Sequence, residues 1–178
     1  MAIRVRKAVL QDADGIAHVQ IDTWRSTYAG IVPHEHLANL SFERGRRNWE
    51  RILLDMKGTI LVAEDHPSHV LGFVNCGPAR DSKEFVGEIY AIYVVQNMQG
   101  KGVGQVLFLS AADDLVARGF DSMLVWVLAE NPYRRFYEKL GGKPTLSKET
   151  VVGGKVLKEI GYGWKDLYSL VGKFKGRN

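Results

Sequence analysis

Three glycines at alternate positions carry the clearest chemical signal in this sequence. Gly100, Gly102 and Gly104 belong to the segment Val94–Gly104, which follows an apolar strand-like run and leads into a helix-like one. Glycines let the main chain turn tightly and expose its N–H groups to a ligand. A helix N-terminus adds unpaired donors and a partial positive charge, and Lys101 adds a formal one. The pattern predicts a site for a diphosphate.

Two common nucleotide-binding patterns fit this segment poorly. The string GxxxxGK followed by Ser or Thr does not occur in the chain. The GxGxxG fingerprint has a different spacing and belongs after the first strand, whereas here about four strands come first. A tight turn that binds no ligand therefore remains an alternative on the glycines alone.

A second element with chemical potential in its side chains is the segment Asn131–Gly142. Phe136 and Leu140 are four residues apart and share the packing face of a predicted helix. Tyr137 is turned about 100° from Phe136, and its phenol can donate a proton or a hydrogen bond. A surface aromatic residue is the alternative interpretation.

Hydrophobic patterning predicts the elements that must position these segments. The predicted strands are Ile3–Ala8, Thr59–Ala63, Val70–Asn75, Phe85–Val95, Met123–Leu128, Thr145–Val152 and Lys155–Trp164. The predicted helices are Asp12–Tyr28, His34–Asn39, a helix to Asp55 capped by Ser41, Gly104–Ala117 and Pro132–Leu140. A turn is predicted at Asp65–Ser68, and a hairpin turn at Gly153-Gly154. The fold class is thus α/β (α+β), with a single mixed, mostly antiparallel sheet and a central βαβ crossover.

Composition limits the classes of protein to consider. The chain has 178 residues, of which 46% are hydrophobic and 25% charged, with one cysteine. We expect one domain over residues 1–178, and neither a disordered chain nor a disulfide scaffold. The start MAIRVRKAVL lacks the apolar region of a secretory signal, and no apolar run reaches the roughly 18 residues of a membrane span. We expect a soluble, cytoplasmic protein without a membrane partner.

Charge and histidine spacing point to neither nucleic acid nor metal. Residues 143–178 carry 8 Lys and Arg against 3 Asp and Glu, but these basic residues are dispersed and lack interleaved aromatics. The two histidine pairs, His34-x-His36 and His66-x-x-His69, lie in predicted loops, without a nearby Cys or an acid at ligand spacing. We expect no metal and no nucleic-acid partner.

Taken together, these motifs resemble the GCN5-related N-acetyltransferase (GNAT) family over nearly the whole chain. Gln99-x-x-Gly102-x-Gly104 is similar to its acyl-CoA loop, and Asn131–Gly142 to the motif that follows, with Gly142 in place of a common Phe. The resemblance extends to a subset with Trp-Arg-x-x-Tyr after the first helix, here Trp24–Tyr28. It implies a GNAT-like fold and transfer of an acyl group, usually acetyl, from coenzyme A to a primary amine.

The resemblance also implies how the cofactor, acetyl-CoA, is held. Its diphosphate would lie on the amides of Gly100–Gly104, its pantetheine arm beside the main chain of about Ile92–Val94, and Asn131 would hydrogen-bond the arm. The cofactor-binding residues so implied are Ile92, Tyr93, Val94, Gln99, Gly100, Lys101, Gly102, Val103, Gly104, Gln105, Asn131 and Arg134.

Two side chains are candidates for proton transfer. The resemblance gives Tyr137 the role of protonating the leaving thiolate, and a strand amide near Val94 would stabilise the charge on the carbonyl oxygen. The attacking amine must lose a proton near neutral pH. Glu88 is the candidate base, because period-2 alternation puts it on one face with Tyr90, Ile92 and Val94. An exposed glutamate without a role is the alternative, and some family members use no single base.

The acceptor is expected to be a small-molecule amine bound by aromatic residues, namely Trp24, Tyr28, Tyr162 and Trp164. Packing in the core is the alternative for each of them. A protein N-terminus or lysine remains possible as acceptor, since the sequence does not show whether these regions close the acceptor groove. A non-catalytic CoA-binding sensor and a nucleic-acid-binding regulator are further alternatives. The resemblance also favours a homodimer.

Overall fold

One seven-stranded sheet organises the protein. The computed structural model describes residues 3–55, 57–67 and 69–176. Its strands are β1 (Arg4–Lys7), β2 (Thr59–Glu64), β3 (Val70–Pro78), β4 (Gly87–Val94), β5 (Met123–Leu128), β6 (Lys143–Val152) and β7 (Lys155–Trp164). Their order across the sheet is β1-β2-β3-β4-β5-β7-β6. Only the β4–β5 pair is parallel, so the predicted fold class is confirmed.

Helices cover both faces of the sheet. They are α1 (Ala13–Thr27), α2 (His34–Ala38), α3 (Phe42–Asp55), α4 (Val103–Ala117), α5 (Arg135–Lys139) and α6 (Leu167–Lys175). Buried side chains of α4 and α6 form the core on one face, and those of α1 and α3 form the core on the other. The helix α4 makes the predicted crossover between β4 and β5.

Most predicted elements are confirmed to within a few residues at each end. Ser41 caps α3 as predicted, because its hydroxyl accepts a hydrogen bond of 3.3 Å from the Arg44 amide. The helix α5 is shorter than predicted, because the chain after Asn131 first makes tight turns. The turn predicted at Asp65–Ser68 ends at a residue outside the described ones.

The C-terminal helix α6 is an element that the sequence analysis missed. Asp166 caps it by accepting a hydrogen bond of 2.9 Å from the Ser169 amide. Leu167, Leu170 and Val171 are buried against α4. An N-cap residue followed by apolar residues at this spacing is a helix signal that was present in the sequence.

A β-bulge in β4 decides which side chains face which core. Asn75 of β3 is opposite Ala91, but the next residue, Cys76, is opposite Ile89, so Tyr90 is the extra residue. Ile89 and Ile92 consequently pack on the same face, with α4. Residues before Tyr90 therefore face the opposite side of the sheet from the one that strict alternation with Ile92 and Val94 would give.

Candidate active site

The candidate site is a cleft that opens where β4 and β5 separate. The two strands pair only at Gly87–Ile89 with Met123–Val125. Beyond these residues they diverge, and a cleft of about 680 Å³ lies between them. Glycines of the loop before α4 and aromatic residues of α5 complete its walls.

The main chain of β4 is available to a ligand along this cleft. The Val95 amide donates to the Leu71 carbonyl at 2.9 Å. Main-chain hydrogen bonds alternate in direction along an antiparallel strand, so the N–H of Tyr93 also points to β3. The N–H groups of Ile92 and Val94, which lie between, point to the cleft. The Val94 carbonyl accepts a hydrogen bond of 3.0 Å from the Gln99 side chain. Its N–H remains directed to the cleft.

The glycine loop forms an open cradle at the N-terminus of α4. Gly100 has φ of 72° and Gly102 of 87°, a region that residues with a side chain rarely adopt. A Cβ added at either residue would meet nothing within 4 Å. Gly102 is the N-cap and brings no side-chain acceptor to the first turn. Within the described part of the chain, the first N–H groups of α4 are therefore free for an anion. Cradle and cleft together fit a long ligand that carries a diphosphate.

The other predicted residues of the loop take different positions. Gln105 lies on the first turn of α4 and lines the cleft with Gly104. The side chain of Val103 is buried in the core, so only its main chain can face a ligand. Lys101 is exposed and does not line the cleft, although its charge lies beside the cradle.

Tyr137 of α5 lines the cleft. The residue is 9% exposed, and its ring stacks on that of Tyr162 with centroids 5.7 Å apart. Among the described residues, no group accepts a hydrogen bond from this hydroxyl. Burial raises the pKa of Tyr137, and Tyr93 and Tyr162 add to the effect. The phenol therefore stays protonated, with a hydrogen available for donation.

Asn131 lies on the cleft wall, whereas Arg134 does not. The Asn131 side chain donates to the Tyr28 hydroxyl at 3.1 Å and accepts from the Tyr133 amide at 2.8 Å. One hydrogen of its amide group remains for a ligand. Arg134 is exposed outside the cleft, and the neighbouring Arg135 lines it instead. The contact of Arg134 with the cofactor stays a prediction.

Glu88 is buried, at 2% exposure, and faces the opposite side of the sheet from that predicted. The bulge at Tyr90 inverts the alternation, so Glu88 lies on the face of Tyr93 and not on that of Ile92 and Val94. The prediction of one shared face is wrong. The carboxylate lines a second cavity of about 270 Å³.

Aromatic residues line this second cavity, which shares walls with the cleft. Trp24 and Tyr28 contact each other edge to face at 4.9 Å, and the Trp24 indole donates to the Tyr93 hydroxyl at 3.0 Å. Tyr28 and Tyr93 line both spaces. The second cavity is therefore the candidate acceptor pocket.

The hairpin of β6 and β7 closes one side of the acceptor pocket. Its tip packs on the segment after α1, where the Lys155 ammonium donates to the Ile31 carbonyl at 2.8 Å. A Cβ on Gly153 would be 2.7 Å from that of His36, which shows how closely the tip meets α2. Leu157 and Val152 of the hairpin join Tyr28 in one apolar cluster.

Tyr162 and Trp164 belong to the core and line neither cavity. Tyr162 is 1% exposed and donates to Glu138 at 2.9 Å. The Trp164 indole donates to the Leu140 carbonyl at 2.9 Å. A Cβ on Gly142 would lie 2.5 Å from this indole ring, so the ring fills the space of the missing Phe side chain. The prediction that both residues contact the acceptor is corrected to core packing.

Several residues of the acceptor pocket were not predicted from the sequence. Those with charged or indole side chains are Arg80, Trp126, Lys148 and Glu159. A two-residue turn at Gly153-Gly154 fixes the hairpin register and sets Lys148 opposite Glu159, so the sequence contained a signal for this pair.

Two other groups of reactive side chains lie outside these cavities. Asp65, His66 and His69 have ligand atoms within 4.8 Å of one another, so an acid does lie beside this histidine pair, contrary to expectation. The His69 ring is hydrogen-bonded to Asp65 at 2.5 Å. Cys76 is fully buried, and burial raises the pKa of its thiol to about 12, which makes it a poor nucleophile. No helix of the described residues has the length and apolar character to cross a membrane.

Comparison with known proteins agrees with this geometry. Residues 19–142 match the profile of the acetyltransferase (GNAT) family. The chain is 37% identical over 169 residues to the uncharacterized N-acetyltransferase YuaI of Bacillus subtilis, covering 94% of this chain and 96% of that protein. It is 23% identical over 150 residues to the spermidine N(1)-acetyltransferase of Thermoplasma acidophilum, covering 80% and 89%.

A solved structure shares the fold. YncA of Salmonella typhimurium, determined with its cofactor acetyl-CoA, superposes with a TM-score of 0.70 at 20% identity, covering 93% of this chain and 94% of that one.

Proposed function

Because this chain belongs to the acetyltransferase (GNAT) family and is an acetyl-CoA-dependent acyltransferase, we propose that its acceptor is a primary amine of a small molecule. The observation that carries this proposal is the small acceptor pocket, which the β6–β7 hairpin closes on one side. The β6–β7 hairpin packs against the segment after α1, and the space left is about 270 Å³. A folded protein or an extended peptide needs an open groove. The spermidine acetyltransferase among the relatives is named for a small amine.

The cradle and the strand main chain are the proposed binding residues for the cofactor. The amides of Gly102, Val103 and Gly104 receive the diphosphate, and the Ile92 and Val94 main chain pairs with the pantetheine arm. Bound acetyl-CoA supplies a thioester carbonyl for attack and a thiol as leaving group. The Val94 N–H donates to the carbonyl oxygen as negative charge develops there.

Glu88 is the proposed acceptor of the proton that the amine loses. Its Oε1 accepts from Nε and Nη2 of the Arg80 guanidinium, and its Oε2 accepts from the Arg80 main-chain amide. One lone pair of Oε2 is left for a further donor, by count of its partners among the described residues. Glu88 can thus take the proton directly from an amine or through a water in the pocket.

Tyr137 is the proposed donor of a proton to the leaving sulfur. Tyr137 lines the cleft, and its raised pKa keeps the hydroxyl protonated until charge builds on the sulfur. The amine nitrogen forms its bond to the acetyl carbon, the carbon–sulfur bond breaks, and no enzyme nucleophile takes part. A hydroxyl without a partner among the described residues favours this catalytic role over a sensor that only binds CoA.

Release of free thiol from acetyl-CoA tests the acceptor class. We expect acetylation of small primary amines, identified by the mass of the product, and none of peptides with free N-termini or lysines. The Tyr137→Phe variant shows whether turnover comes from this site. Efficient acetylation of a peptide, with small amines inert, would contradict the proposal.

A further inference from the structure

The two carboxylates of the acceptor pocket, Glu88 and Glu159, differ in how many hydrogen bonds their oxygens accept. Both oxygens of Glu88 are held by Arg80. Glu159 has one charged partner among the described residues, Lys148, at 3.7 Å, and this distance exceeds that of a hydrogen bond. Its side chain is 20% exposed and lines the pocket. Glu159 therefore presents an incompletely paired negative charge.

The negative charge of Glu159 acts on two tyrosines that line both the acceptor pocket and the cleft. Burial raises the pKa of both Tyr28 and Tyr93, and the charge of Glu159 raises it further. Both tyrosines also line the cleft that contains Tyr137. A cation in the acceptor pocket would thus experience this charge.

Lys148 shows what kind of group suits the position. Its ammonium lies 4.2 Å from the centre of the Trp126 ring and beside Glu159. An alkylammonium between an aromatic face and a carboxylate is a favourable arrangement for a cation. The side chain of Lys148 is 38% exposed, so a ligand can displace it into solvent.

We propose that Glu159 binds a second cationic group of the acceptor, which makes diamines and longer polyamines the substrate class. The group bound there is distinct from the reacting amine, whose proton passes to the proposed acceptor Glu88. Glu159 also lines the acceptor pocket but not the cleft that contains Tyr137. This inference rests on the proposed function of the same site.

Calorimetric binding of cadaverine and of n-pentylamine, with CoA present, tests the inference without turnover. The two probes have the same carbon chain and differ in the second ammonium. We expect wild type to bind cadaverine about tenfold more tightly, as for one charge-assisted hydrogen bond. Glu159→Gln should remove this preference and leave the affinity for n-pentylamine and for CoA unchanged.

Lys148→Met gives a change of opposite sign. Removal of the competing ammonium should tighten cadaverine binding several-fold. Glu149→Gln, on the exposed part of the same hairpin, is the matched control and should change neither affinity. Equal binding of both probes by wild type, or weaker cadaverine binding in Lys148→Met, would overturn the inference. The latter result would instead indicate an acceptor with an anionic group.

The thiol-release assay separates the two proposals. Turnover of n-pentylamine and cadaverine with equal KM would overturn the role of Glu159 and leave the small-amine proposal standing. Cadaverine binding that depends on Glu159, without acetylation of any small amine, would overturn the proposed function alone.

Discussion

Arg80 holds both oxygens of the Glu88 carboxylate. Its amide donates to Oε2 at 2.9 Å, and its guanidinium donates to Oε1 at 2.5 and 3.2 Å. The hydrogen bond to Glu88 raises the pKa of Arg80 above its ordinary value. Arg80 thus fixes the orientation of a carboxylate that is almost completely buried.

The first prediction concerns the carboxylate of Glu88, which Arg80 holds in place. Glu88→Gln keeps the shape of the side chain but removes the proton acceptor, so kcat should fall by about 10²–10⁴-fold. The affinity for acetyl-CoA, measured by calorimetry, should remain. Glu149→Gln is the control, because its carboxylate is exposed on β6. Turnover of Glu88→Gln at the wild-type rate would remove Glu88 from the reaction.

A second prediction concerns the hydroxyl of Tyr137. Tyr137→Phe should lower kcat by about 10²–10⁴-fold, because the leaving sulfur loses its proton donor. The melting temperature should not change, because the hydroxyl has no partner among the described residues. Tyr168→Phe, at an exposed position of α6, should match wild type in both measurements. A full rate in Tyr137→Phe would contradict the assignment.

A third prediction separates ligand binding from backbone strain at the glycine cradle. Gly102 and Gly119 both have φ of 87°, and a Cβ at either would meet nothing within 4 Å. Valine at either position should therefore lower the free energy of unfolding by a similar amount, about 1–3 kcal/mol. CoA at 100 times its Kd should stabilise wild type and Gly119→Val by about 2.7 kcal/mol. Gly102→Val should show no such stabilisation in a thermal shift assay.

A fourth prediction concerns acid stability. Arg6 donates to Asp12 at 2.7 and 2.9 Å and to Glu64 at 2.7 Å. Burial opposes ionisation of Asp12, but bonds from Arg6 and from the Val9 amide hold its pKa below the ordinary value. The Arg6 hydrogen bond likewise lowers the pKa of Glu64. Folded-state pKa values below the unfolded ones stabilise the protein above about pH 4, and this stabilisation is lost as the pH falls through the folded values.

Melting temperatures between pH 7 and pH 3 measure this effect. Arg6→Leu should melt at a lower temperature than wild type at pH 7, and the difference should narrow as the pH falls, because protonation relieves the unpaired acids. Arg47→Leu is the control, since its pair with Glu43 is exposed on α3 and of little consequence for stability. A constant difference across the pH range would contradict the role of this cluster.

Local patterns in the sequence were sufficient for the order of the elements and for the cradle. The two-residue turn at Gly153-Gly154 determines the register of β6 and β7, and three spaced glycines identify the start of α4. Both features depend on residues that are neighbours in the chain. The cofactor side of the site could therefore be predicted to a large extent.

The acceptor side could not be predicted in the same way, because it depends on a bulge and on long-range packing. A single extra residue, Tyr90, places Glu88 on the opposite face of the sheet from Ile92 and Val94. Trp164 lies on the last strand, and its ring fits into the core because Gly142 has no side chain that would collide with it. Arg80 reaches Glu88 from the loop after β3, where no local pattern marks it.

A crystal structure of the protein with CoA would show where the cofactor binds. We expect the diphosphate on the amides of Gly102–Gly104 and the pantetheine arm along Ile92–Val94, with its sulfur near the Tyr137 hydroxyl. Clear density for CoA elsewhere, with only solvent at the cradle of Gly100–Gly104, would contradict the proposed cofactor site.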